Sequence, residues 1–140
     1  MDAVMSVPLL VMAMVIVATL GASLFNVIFA ISFILTPRAN RLVRGTVLAA
    51  KENVYVEAAK AVGCSSLRII FRHILPNVTA PIIILCTISL GSAIITEASL
   101  SFLGMGVPPP TPTWGGMLSG EGRTYMTLAP WIGIWPGFAI

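Results

Sequence analysis

Charge is what this sequence has least of. Asp, Glu, Lys and Arg make up 9% of its 140 residues, whereas 57% are hydrophobic; an ordinary soluble domain carries about 25% charged residues. A soluble fold has no interior large enough to hide that much apolar surface. No charged residue occurs between Ala3 and Pro37, nor between Asn77 and Thr96, and uncharged stretches of about 20 residues are what a hydrocarbon layer roughly 30 Å thick selects in helices. Cysteine is scarce too: Cys64 and Cys86 stand alone, one in a basic and one in a hydrophobic stretch, and their spacing indicates neither a disulfide nor a metal site. The sequence has no G-x-x-x-x-G-K-[ST] loop for nucleotide phosphates, no H-E-x-x-H zinc motif and no G-x-S-x-G elbow. A cleavable signal peptide is not expected, because no basic region and no small-residue cleavage pattern frame a short apolar core.

The charge that is present is unevenly placed. Every basic residue except Arg123 falls between Arg38 and Arg72. The net charge of +3 therefore marks topology rather than a nucleic-acid surface, since Lys and Arg are retained on the cytoplasmic side of short membrane loops. Residues 40–76 are expected inside the cell and the flanking apolar runs across the membrane.

The first apolar run, Val7 to Leu35, is longer than one crossing needs and is broken by Gly21, Ala22, Ser23 and Asn26. One long tilted helix and a hairpin of two shorter helices both fit its length. The hairpin is the favoured reading, with spans near 3–20 and 23–39. In the basic segment, Arg38, Arg41 and Arg44 recur every third residue, a spacing that suits snorkelling to lipid phosphates. Glu52 to Val62 reads as a short helix stopped by Gly63. Ser65 or Ser66 is placed to cap a second helix, Leu67 to Leu75, which Pro76 is expected to stop.

A third span is expected at 78–97, with Pro81 in its first turn, where a missing amide donor costs little. Cys86, Ser89, Ala93 and Glu97 follow helical spacing as a small or polar stripe that suits close helix contact, and Ile84, Ile88 and Ile95 are expected to face acyl chains. Prolines and glycines from Gly104 onward exclude a regular helix and predict an outer loop over 101–127, with Trp114, Trp131 and Trp135 suited to the interface. The last run, 128–140, is too short to cross and is expected to be an incomplete span. Glu97 near the outer end of its helix is a candidate for a gate or helix-packing role together with Ser89 and Ala93, because intramembrane acids are functional candidates by default. His73 is expected to be a packing or interfacial residue.

The informative constellation is Glu57, Ala58, Ala59, then Gly63, then a helix reaching Leu75 and Pro76. This stretch, "EAAKAVGCSSLRIIFRHILPN", resembles the cytoplasmic EAA loop of binding-protein-dependent ABC importer permeases. Its His73, where the general pattern has an aliphatic residue, points to the dipeptide, oligopeptide and nickel branch. "TEASLSFLGMGVPPPTPTWGGML", Thr96 to Leu118, and "MDAVMSVP", Met1 to Pro8, resemble the same branch, so the likeness runs over nearly the whole chain.

The resemblance implies an all-α, polytopic transmembrane bundle of the type I importer fold, incomplete in this sequence, in the plasma membrane of a prokaryote. It implies that Glu57, Ala58, Ala59, Gly63, Leu75 and Pro76 serve coupling to an ATPase. It also implies two ATP-binding subunits that hold ATP and Mg, a second permease subunit, an extracytoplasmic solute-binding protein and membrane lipid as partners, with no cofactor, metal or catalytic residue in this chain and no nucleic acid. Two other classes remain open on the residues alone: a non-transporting membrane anchor or small channel, and a membrane-embedded enzyme using Glu97 or His73.

Overall fold

The computed structural model describes residues 6–140, apart from the side chain of Glu121. The beginning of the expected first span, and the first part of the Met1 to Pro8 likeness, lie outside the described residues. What is described is helical: α1 (Leu9–Leu20), α2 (Leu24–Lys51), α3 (Val54–Ala61), α4 (Ser66–Phe102), α5 (Trp114–Met117), α6 (Gly120–Tyr125) and α7 (Trp131–Ala139). They form two compact units. One joins the residues up to Pro37 with Leu90–Ile140, and the other is Arg38–Ser89.

In the first unit the chain reverses at Gly21, whose φ of 89° is a conformation glycine adopts without a Cβ penalty. The polar residues that interrupt the apolar run bind this turn together. Asn26 Nδ2 donates to the carbonyls of Leu20 and Gly21, each at 2.9 Å, and Ser23 Oγ accepts from the amide of Asn26 at 3.1 Å, capping α2. The turn thus satisfies carbonyls at the end of α1 and a free amide at the start of α2. Ala13 and Val17 of α1 then pack with Val27, Ala30, Ile31 and Ile34 of α2 and with Leu100 of α4. The i, i+3, i+4 and i+7 spacing on α2 makes one face. The small side chains Ala13 and Ala30 are fully buried, so the backbones approach closely.

α2 continues through Pro37 to Lys51, so Arg38, Arg41 and Arg44 lie on the helix that carries the expected second span. One expected helix end is displaced. The helix expected to end at Pro76 instead runs on as part of α4, an unbroken stretch of 37 residues from Ser66 to Phe102. The reason lies one turn earlier. Ile70–Ile74 is π-helical, and the amide of Leu75 bonds back five residues to the carbonyl of Ile70. A proline in a regular α-helix clashes with the carbonyl four residues before it and leaves it without a donor; the wider π turn makes room for the Pro76 ring. Nearby, Asn77 Nδ2 donates to the carbonyl of His73 at 2.7 Å. Pro81 accordingly lies in the interior of a helix rather than in its first turn.

α4 is the one helix among the described residues both long and apolar enough to cross a membrane, and only 11% of its most apolar window is buried. A core helix of a soluble protein would be mostly covered. Ile84, Ile88 and Ile95 are all more than half exposed, as lipid-facing residues are expected to be. Cys86 departs from the expected inward stripe and is exposed, while Ser89, Ala93 and Glu97 are half-buried. Both cysteines are free. The Pro/Gly-rich segment holds the short helices α5 and α6, so it is less irregular than its composition predicts.

Candidate functional site

The second unit is built around α3. Asn53 precedes it in an extended conformation (φ −75°, ψ 144°) but does not cap it with its side chain. Its Nδ2 instead donates backwards to the carbonyls of Ala49 and Ala50, at 3.1 and 3.3 Å, closing the end of α2. At the other end, the amide of Cys64 bonds to the carbonyl of Ala59 at 3.0 Å and that of Gly63 to Lys60 at 2.9 Å. These are the paired 6→1 and 5→2 bonds of a Schellman motif, with Gly63 at φ 77° in the left-handed position that the motif requires. Cys64 packs beside Ala59 under the motif. The local sequence thereby fixes where α3 ends and how the chain turns into α4. Ser65 occupies the position before α4, and its backbone carbonyl accepts from Ile69, but neither serine hydroxyl caps the helix.

The inner side of α3 is Val56 and Ala59, three residues apart, buried with Ala50, Ile69, Ile74 and Val78. Helical periodicity puts Val54, Glu57, Ala58 and Ala61 on the opposite side, and all four are exposed. The amide of Glu57 donates to the carbonyl of Asn53 at 3.4 Å, but among the described residues its carboxylate has neither a hydrogen bond nor an ion pair and is not engaged by Lys51 or Lys60. Val54, three residues before it on the same helix, is 79% exposed, and Val62, Leu67 and Phe71 of this unit are exposed apolar residues as well. The EAA triplet is therefore divided. Glu57 and Ala58 face outward, whereas Ala59, expected to allow close approach of a partner, is 6% exposed and packs inside the unit. Gly63, Leu75 and Pro76 are exposed, and Gly63 acts through the turn it permits. His73 is half-buried. Val54 on α3, Val62 just after it, and Leu67 and Phe71 on α4 were not singled out by spacing; their exposure depends on which faces of the two helices the core of the unit takes.

The first unit carries the other candidate residues. Ser101 Oγ donates to Glu97 Oε1 at 2.6 Å, and Ser119 Oγ donates to the Ser101 carbonyl at 3.3 Å. Ala93 packs against the core of this unit, whereas Ser89 falls in the second unit. No group of His, Cys, Asp and Glu suited to a metal ion is present among the described residues.

The described chain is all-helical, with one helix long and apolar enough to cross a membrane and a short-helix segment rich in basic residues before it. The whole chain, residues 1–140, matches the family described as "Binding-protein-dependent transport system inner membrane component". Over 139 residues it is 42% identical to the glutathione transport system permease protein GsiD of Escherichia coli O1:K1 / APEC and to those of Shigella flexneri serotype 5b (strain 8401) and Escherichia coli O157:H7; the alignments cover 99% of this chain and 46% of each relative. This chain belongs to the family of inner-membrane permease components of binding-protein-dependent ABC transport systems. It spans about half the length of the curated relatives it matches.

Proposed function

We propose that the chain is part of a membrane-spanning permease subunit of an ATP-driven importer for a small peptide-type solute, and that it receives work from an ATP-binding subunit through α3. The observation that carries this reading is the outward face of α3: an unengaged carboxylate, Glu57, on one exposed side with Val54, Ala58 and Ala61. A docked helix needs such a face, with small residues for close approach, apolar area to cover and one charge to orient it. The Schellman turn at Gly63 and the buried Val56 and Ala59 hold that face in place. The peptide-type solute is carried by the likeness to permeases named for glutathione transport; nickel is the other solute of the branch that the loop resembles.

On this reading residues 40–76 are cytoplasmic and 101–127 form an outer loop. The uncharged part of α4, Asn77 to Thr96, has the length that crosses about 30 Å of hydrocarbon at about 1.5 Å per residue, and the basic residues lie beyond its inner end. ATP and Mg are held by two ATP-binding partners. Their closure on nucleotide draws the α3 helices of this subunit and a second permease together, and opens the path to a solute-binding protein outside. Substrate passes between the two permease chains.

Cysteine crosslinking tests this. With the chain expressed beside its ATP-binding subunit, a cysteine at Ala58 crosslinks to that subunit and one at Ala59 does not. Equal crosslinking from both positions, or from neither, contradicts docking through this face.

A further inference from the structure

The end of α4 and the loop after it form a second built site. Gly106 lies directly on Ser101, and Gly115 lies on the carbonyl of Ala98, both so closely that a Cβ at either glycine would collide with α4. Thr113 Oγ1 accepts from the amide of Gly116 at 3.0 Å and caps the α5 turn. These contacts clamp the loop onto α4 and place Trp114 in the same grooves as Glu97. The two residues line a groove with Pro112, Thr113 and Met117, and also an apolar groove of about 330 Å³ with Val27, Ile28, Ala93 and Ile94 among its walls.

The carboxylate is half engaged. Ser101 takes Oε1. Oε2 has no hydrogen-bond partner among the described residues and is not fully shut from solvent, and Glu97 lines both grooves. No cation of the chain is paired with it among the described residues. An accessible carboxylate oxygen beside an indole that is 47% exposed is a combination that recognises an organic cation: the oxygen accepts charge-assisted hydrogen bonds, and the ring face attracts the positive group.

We infer that Glu97 and Trp114 form a subsite for a primary ammonium group, such as the amino terminus of a short peptide, with the apolar groove receiving the rest of the molecule. The choice of a peptide rests on the function proposed above; the ammonium chemistry rests on the residues. The groove volume falls within the range of small-molecule sites, which favours a small solute over a segment of a partner protein.

The test uses the whole chain in nanodiscs with Trp131 and Trp135 replaced by Phe, leaving Trp114 as the sole indole. Trialanine is titrated against its fluorescence, with N-acetyl-trialanine, which lacks the ammonium, in parallel. A saturable change with trialanine, at least tenfold weaker with the acetylated peptide, is expected. Glu97→Gln should remove the difference between the two peptides while the helical circular dichroism stays unchanged. Equal responses to both peptides, or no response to either, overturn the subsite, and this comparison needs no substitution at Glu97. Carbodiimide crosslinking of Glu97 to a lysine of a partner protein, in place of a peptide response, assigns the carboxylate to a protein contact and also overturns it. A chain that still crosslinks to the ATP-binding subunit through position 58 loses this subsite alone and keeps the proposed function.

Discussion

At the scale of single residues, glycine sets the geometry at two places for different reasons. Gly63 is required for its backbone, with φ at 77° in the Schellman turn. Gly63→Ala is expected to destabilise the second unit by about 1–2 kcal/mol, the cost of a Cβ in the left-handed region, read by denaturant titration in mixed micelles. Gly115 is required for its missing side chain, because a Cβ would meet the Ala98 carbonyl, which is backbone and cannot swing away. Gly115→Ala is expected to cost about 1–3 kcal/mol, whereas at Gly137, with open space around it, the same change should be neutral or favourable. Gly63 was legible in the sequence because it follows a helical pattern and ends it. Gly115 was legible only as a member of a Gly/Pro-rich stretch, since its close contact is with a residue 17 positions earlier (115 − 98), a distance local patterns do not report. Which of Ala58 and Ala59 turns inward was not legible for a related reason: side by side in sequence they look alike, and only the packing partners Ile69, Ile74 and Val78 decide it.

At the scale of elements, the reversal at Gly21 was readable because glycine, serine and asparagine interrupt an otherwise apolar run and each then takes a part in the turn. The end assigned to Pro76 was misread. Proline's usual effect presumes α geometry in the turn before it, and the π turn over Ile70–Ile74 is a feature with no strong sequence signature. The division of α3 into an inner and an outer face has a direct check that needs no partner. Cysteines at Ala58 and Ala59 in the isolated chain should differ in reaction with a water-soluble maleimide, rapid at 58 and slow at 59. Equal rates would mean that α3 is turned differently from the arrangement described here.

At the scale of the whole molecule, composition and the uneven placement of charge were enough to indicate a membrane protein, and the joined motif from Glu57 to Pro76 with the outer-loop likeness was enough to reach the family. The expected bundle of several spans is not visible among the described residues. α4 alone has both the length and the apolarity of a span among the described residues, because arginines enter α2 from Arg38 and α1 is short. The orientation rests on the basic collar. A cysteine at Ser66 is therefore expected to react only with reagent on the cytoplasmic side and one at Thr113 only from outside; the reverse pattern would place α3 on the wrong side for coupling.

The proposed coupling of this subunit to an ATP-binding partner through the outward carboxylate of α3 is open to one paired measurement. In cells expressing the permease with its ATP-binding subunits and solute-binding protein, solute uptake and recovery of the ATP-binding subunit with the permease are measured for Glu57→Lys and for Glu52→Lys. Both acids are exposed and five positions apart (57 − 52), but Glu52 lies before α3 and Glu57 within it, on its exposed side. The account predicts normal membrane insertion for both, with loss of ATP-binding-subunit recovery or of uptake for Glu57→Lys and little change for Glu52→Lys. Normal uptake with Glu57→Lys, or equal losses from the two substitutions, would contradict it.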